Sequence, residues 1–217
     1  MSRLGRLFEK FRPGREVSRQ DVALPAASTL WVVAGLGNPG QQYACSRHNA
    51  GFRVAERLAA RAHMPLDRRK FNGLFAEIPT AGGDALIVMP QTFYNRSGDC
   101  VSAIISYFKV PVERLIVVHD EMDLPVGQLR IKRGGGDAGN RGVRSIIEAL
   151  GSSDFIRVRI GIGHAADDGD TVDYLLKPLA SDDLRAGGDT IDRAADAVVA
   201  IMRDGLERAM NAYNQRA

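Results

Sequence analysis

The 217-residue chain is 45% hydrophobic and 25% charged, an ordinary globular balance, and is long enough for a single large domain with a sizeable core. No apolar run approaches the roughly 20 residues that span a bilayer, the first residues lack the apolar stretch of a secretory signal, and only Cys45 and Cys100 occur, without metal-ligand spacing. These features argue against membrane insertion, a disulfide scaffold or a structural zinc site, and favour a reducing compartment, the cytoplasm.

Residues 1–29 hold six basic and three acidic side chains, which is the whole of the formal net charge of +3. The rest of the chain is neutral, so an anionic partner would have to be met by a local patch. Pro13, Gly14 and Pro25 interrupt any long helix in residues 1–29. The segment reads as a basic N-terminal extension, flexible or serving as a weak membrane or ribosome anchor.

Strand patterns follow at 30–35, 74–78, 85–89, 115–119, 128–132 and 155–162, each rich in branched or apolar residues and bounded by Gly, Pro or Asp. Helical periods lie at 49–62, 97–108, 139–150, 182–202 and 204–214. The alternation predicts a single-domain α/β three-layer sandwich with a mixed, mostly parallel central sheet flanked by helices, the 74–89 hairpin supplying the mixed part.

The loop after the first strand, Gly35-Leu36-Gly37-Asn38-Pro39-Gly40, has the spacing of a dinucleotide fingerprint. It lacks that motif's context: Pro39 stiffens the loop, no helix starts at Gly40, and the one nearby acid, Glu56, falls inside a helix rather than ending a second strand. The polar residues that the loop presents carry more. In open α/β sheets ligands collect at the carboxyl ends of the strands, and there the chain sets Asn38, His48, Asn95 and Asp120. A histidine can take a proton from water at neutral pH, and an aspartate on its other nitrogen fixes the tautomer and stabilises the imidazolium. The two asparagines can donate to a developing oxyanion or hold a carbonyl. No Gly-x-Ser-x-Gly elbow occurs and neither cysteine can be set beside the histidine, so the chemistry indicated is ester or amide hydrolysis by water, without metal or other cofactor. Each residue also has a structural reading: Asp120 as a turn cap before Pro125, the asparagines as loop residues, His119 and Glu121 as structural or solvent-facing. Residues 130–159 carry seven basic against three acidic side chains, the local patch that an RNA would need.

The segments Gly35-Leu-Gly-Asn-Pro-Gly-x-x-Tyr43, Arg47-His-Asn-Ala-Gly-Phe52, Pro90-x-Thr-Phe-Tyr-Asn-x-Ser-Gly98, His119-Asp-Glu-Met-Asp-Leu-Pro125 and Arg157-x-Arg-Ile-Gly-Ile-Gly163, in this order over about residues 30–213, resemble the bacterial peptidyl-tRNA hydrolase family. The resemblance implies cleavage of the ester between peptide and tRNA by a monomer that needs no cofactor. It makes His48 the base and Asp120 its orienting acid, with Asn38 and Asn95 placing peptide and water. Tyr43 and Phe93 become aromatic cleft residues, and Lys132, Arg133 and Arg159 become contacts to tRNA phosphate. Three departures stand out. Arg141 replaces an asparagine that in the family helps hold substrate and Asn140 replaces its neighbouring histidine, and Arg141, donor-only and always charged, cannot reproduce an amide. Tyr94 stands where methionine is usual and would narrow the peptide channel. Asp137, Asp167, Asp168 and Asp170 weaken attraction for RNA if they face it. The departures leave a second reading open, a diverged paralogue that binds RNA or a partner without efficient turnover.

Overall fold

A computed structural model describes residues 29–164, 171–177 and 181–215. Within them a seven-stranded sheet runs β2-β3-β4-β1-β5-β7-β6, with β1 Trp31–Gly35, β2 Arg68–Lys70, β3 Gly73–Thr80, β4 Gly83–Pro90, β5 Leu115–Glu121, β6 Leu129–Arg133 and β7 Ile156–Gly161. The four central strands β4, β1, β5 and β7 are parallel, whereas β2, β3 and β6 join antiparallel at the edges. The helices are α1 Ala50–Arg61, α2 Ser97–Phe108, α3 Arg141–Leu150, α4 Thr171–Leu176, α5 Ser181–Asp204 and α6 Leu206–Tyr213.

Period-2 alternation divides the central strands between two cores. Val33, Ile87, Ile116, Val118 and Val158 pack with α1, α5 and α6 on one face. Val32, Ala34, Leu86, Val88 and Val117 pack with α2 and α3 on the other. Both faces being covered, β1 and β5 read as continuous apolar runs, as expected for parallel strands. The three-layer sandwich predicted from the alternation is therefore observed, and the 74–89 hairpin is the antiparallel β3–β4 pair.

The differences are local. Arg68–Lys70 is exposed and charged at all three positions, so β2 carries no apolar alternation by which to recognise it; backbone pairing with β3 makes the strand. Helix α3 begins at Arg141 rather than 139, because the Asn140 side chain accepts from the amides of Gly142 (3.1 Å) and Val143 (3.0 Å) and caps it. The short α4 was not foreseen. The expectations for residues 1–28, and for Asp167, Asp168 and Asp170, lie outside the described residues.

The chain leaves β1 toward β4 on one side and later returns to β5 on the other, so the β1–β5 boundary is the switch point of the sheet. Glycine makes that point tight. A Cβ on Gly51, in the first turn of α1, would collide with the Val118 carbonyl and with the Leu36 amide and carbonyl, all backbone. In this close approach Leu36 N donates to Val118 O (2.9 Å) and Phe52 N to Leu36 O (3.1 Å). Gly51→Ala is expected to destabilise the fold by about 3 kcal/mol or more, since the atoms met are backbone and none belongs to a side chain that can swing away. Gly136→Ala, where an added Cβ meets nothing, should stay within about 0.5 kcal/mol. Urea unfolding of the two variants checks this.

Candidate active site

The close approach of α1 to β5 carries function with it. His48 lies in a short 3-10 turn, Arg47–Asn49, directly before α1, and Asp120 lies two residues beyond Val118 on β5. Their side chains meet at 2.9 Å, Nδ1 of the imidazole to Oδ2 of the carboxylate. A carboxylate only accepts, so Nδ1 carries the proton and Nε2 is left as the basic atom. Asp120 is 3% exposed. Burial pushes its carboxyl up, but the adjacent His48 charge, the hydrogen bonds from His48 and Tyr94, and His119 outweigh that effect and hold it below the usual carboxylate value.

A cleft of about 590 Å³ opens above the pair and is lined by Asn38, Tyr43, His48, Phe93, Asn95, Asp120 and Arg141, among others. All of the residues expected at the catalytic and peptide-binding site thus face one cavity. Asn38 is held on both sides of its backbone by Asn49, whose Oδ1 accepts from Asn38 N (2.8 Å) and whose Nδ2 donates to Asn38 O (3.0 Å). The Asn38 side-chain oxygen accepts from Tyr94 N (2.9 Å), which turns its amide nitrogen into the donor available to a ligand. Phe93 is 65% exposed at the rim. Gly37 belongs to the packing: a Cβ there would enter the Phe52 ring. The glycine loop is therefore a rigid holder for Asn38.

Several side chains take roles that the sequence did not reveal. Tyr94 is at the floor of the cleft, 3% exposed, and lies beneath His48, ring centroids 3.5 Å apart and planes 18° from parallel. Its hydroxyl donates to Asp120 Oδ1 (2.6 Å) and accepts from Asn140 Nδ2 (3.0 Å). His119 and Glu121, expected to be structural or solvent-facing, are both buried. Burial, with help from Arg157, lowers the His119 pKa against the pull of Asp120 and Glu121. Glu121 lines the cleft and receives Arg159 through Nε (2.9 Å) and Nη2 (2.8 Å). Asp120 is no turn cap.

The basic patch also divides. Arg157 is 1% exposed, and its guanidinium donates to the carbonyls of Gly134 (2.7 Å), Gly135 and Gly136 (2.7 Å). It is a scaffold for the loop between β6 and α3, whose Gly134 and Gly135 take φ of 69° and 85°. Arg133 makes a two-pronged pair with Asp154, 2.7 Å on each side, and Asp137 is held by Arg144 rather than set against a ligand. Burial, and after it the neighbouring Arg157 and Arg159 charges, lower the Lys132 pKa. Cys100 is buried and its thiol is pushed up to about 12 by burial and by Asp99, so it is no nucleophile. Arg47 stacks over Tyr174 (4.4 Å) and its amide donates to Lys177 O (3.2 Å), which draws α4 against the His48 turn and brings Leu175 and Leu176 to the cleft.

A histidine–aspartate pair facing a cleft at the carboxyl edge of a parallel sheet is an arrangement suited to general-base hydrolysis. The comparisons with known proteins agree. A family profile described as peptidyl-tRNA hydrolase matches residues 32–217. The peptidyl-tRNA hydrolase of Frankia casuarinae is 46% identical over 190 residues, 88% of this chain and 96% of that one, and that of Geotalea daltonii is 40% identical, covering 85% and 96%. The crystal structure of peptidyl-tRNA hydrolase from Acinetobacter baumannii superposes with a TM-score of 0.81 at 34% identity, over 87% of this chain and 96% of that one. The chain belongs to the peptidyl-tRNA hydrolase family, and its activity is carboxylic ester hydrolysis of peptidyl-tRNA.

Asp120 also sets a pH dependence. Its folded pKa is depressed, so its contribution to stability is complete above the unfolded carboxylate value of about 4 and is lost as pH falls through the lower folded value. Wild type is expected to lose stability below about pH 4 more steeply than Asp120→Asn. Equal slopes in acid-dependent urea unfolding would contradict the depressed carboxyl.

Proposed function

We propose that His48 is the general base of this hydrolysis, with water as the nucleophile. The single observation that carries the proposal is the 2.9 Å Nδ1–Oδ2 contact with Asp120, which leaves Nε2 toward the cleft. Nε2 takes a proton from water as the water adds to the ester carbonyl, and Asp120 stabilises the imidazolium that results. The amide nitrogens of Asn38 and Asn95 are the donors for the carbonyl oxygen as it gains charge. The imidazolium then returns its proton to the departing ribose oxygen. The buried Asp120 has no exchangeable role of its own; it holds the ring and its tautomer.

Tyr43 and Phe93 offer apolar and aromatic surface to the peptide. Lys132, Arg133 and Arg159 receive tRNA phosphate. Lys132 is best supported, because Arg133 and Arg159 already hold Asp154 and Glu121. The exposed Arg133–Asp154 pair is one that a phosphate can displace at little cost. Arg141, at the start of α3 and on the cleft, is a donor to the acceptor end of the tRNA. The enzyme acts in the cytoplasm, where its substrate arises, and no helix among the described residues is long and apolar enough to cross a membrane.

Peptide release from a peptidyl-tRNA mimic tests the assignment. His48→Ala should lower kcat by about 10²- to 10⁴-fold in protein that circular dichroism shows still folded, and retention of turnover would remove His48 as the base. Lys132→Ala should weaken tRNA binding and reduce the slope of log K against log salt by about 0.7 to 0.9; an unchanged slope removes Lys132 from the phosphate surface.

A further inference from the structure

The hydrogen-bond donors to the Asp120 carboxylate among the described residues are His48 on Oδ2 and Tyr94 on Oδ1. A buried carboxylate with one oxygen unpartnered would gain by rotating or by taking up a proton, and either change would disturb the bond to the imidazole. Tyr94 removes both options while also supplying the surface on which the imidazole lies. Its own position is fixed from every side. Tyr94 N donates to Asn38 Oδ1 (2.9 Å), Ser97 Oγ donates to Tyr94 O (2.8 Å), and Asn140 Nδ2 donates to the phenol oxygen (3.0 Å). The glycine at 142 is required by the same ring: a Cβ there would stand 2.5 Å from Tyr94 Cε1.

We propose that Tyr94 is a positioning residue for the His48–Asp120 pair, with Asn140 as its lock, the phenol fixing Asp120 Oδ1 and the ring fixing the plane of the imidazole. The proposal rests on the reading of His48 as the base. It also gives the two departures at 94 and 140 one explanation. A tyrosine hydroxyl at this place needs a donor on its oxygen once its proton is committed to Asp120, and the Asn140 amide supplies it while its own oxygen caps α3. Burial, reinforced by the Asp120 charge, raises the Tyr94 pKa well above its ordinary value, so the phenol remains a donor throughout the working pH range.

The donor has an electrostatic consequence as well. By drawing charge toward Oδ1, Tyr94 makes Asp120 a weaker partner for the imidazolium. Among the described residues, the other ionisable groups lining the cleft are Tyr43, Glu121 from β5, Arg141 from α3, and the Asp123–His164 pair at the rim, with the buried His119 beside Asp120 on β5. They stay in place when the phenol oxygen alone is removed, so a change in the pH profile reports on the Tyr94 hydroxyl.

The test measures kcat/KM against pH for wild type, Tyr94→Phe, Asn140→Ser and His48→Ala on a peptidyl-tRNA mimic. Tyr94→Phe keeps the stacked ring and loses the donor. Its acid limb should move to higher pH by about half a unit to one unit, its plateau kcat should fall about 10-fold as Asp120 loses its fixed orientation, and KM should change by less than about twofold. Asn140→Ser, which keeps a cap for α3 but cannot reach the phenol, should move the limb in the same direction by less. Acid limbs of both variants that coincide with wild type, whatever the loss of rate or stability, would overturn the positioning role. If Tyr94→Phe does not fold, Asn140→Ser decides alone. Activity persisting in His48→Ala would instead overturn the base assignment on which the proposal stands, so the two failures are distinguishable.

Discussion

The site depends on one close approach of backbone to backbone, the first turn of α1 against β5 and the end of β1. Gly51 permits it, because any side chain there would strike the Val118 carbonyl and the Leu36 peptide. That contact brings a histidine from one segment within hydrogen-bond reach of an aspartate 72 residues later. A pair of parallel strands and a helix would form without it, but they would be separated by at least a methyl group, and a shift of that size is enough to break a 2.9 Å contact. The glycine-rich motif is thus a device for distance. Its glycines set how close two elements come, and its polar residues inherit the result.

The second requirement is electrostatic. Asp120 ionises at the carboxyl end of a strand covered on both faces, where an isolated charge would be unfavourable by several kcal/mol. The fold meets this with one donor on each carboxylate oxygen and a second layer behind them: Tyr94 is held by Asn140, and Asn140 is spent in turn on the cap of α3. A network of this kind is satisfied as a whole or fails as a whole. For that reason the residues at 94 and 140 belong together, whereas Arg141, next in sequence, lines the cleft. The same economy appears behind β6, where the buried Arg157 closes the carbonyls of three consecutive glycines and shapes the loop that leads to α3.

The sandwich was legible because its strands and helices differ in apolar period, and because parallel strands buried on both faces read as runs of Val and Ile. The residues of the cleft were legible because each follows a strand end, where an α/β sheet exposes its ligands. What could not be read depends on partners far away in the chain. Nothing local distinguishes Arg157, a scaffold, from Arg159, a cleft-side ion pair, two residues apart on one strand and on the same face. Tyr94 looked like an obstacle in the channel because a sequence gives a side chain's size and not its direction; its hydroxyl turns inward because Asp120 and Asn140 wait there. Strand β2 carries three charged residues, and only its pairing with β3 makes it a strand.

The central claim is that the imidazole works through a charged, oriented Asp120. Single-turnover hydrolysis of a peptidyl-tRNA mimic by Asp120→Asn tests it most directly, since the amide keeps the size of the side chain and removes its charge. The account predicts a loss of about 10²-fold or more in the hydrolytic rate, approaching the roughly 10⁴-fold effect known for such a change in serine proteases, with substrate affinity little altered. A rate within about twofold of wild type, in a protein with unchanged melting, would contradict it.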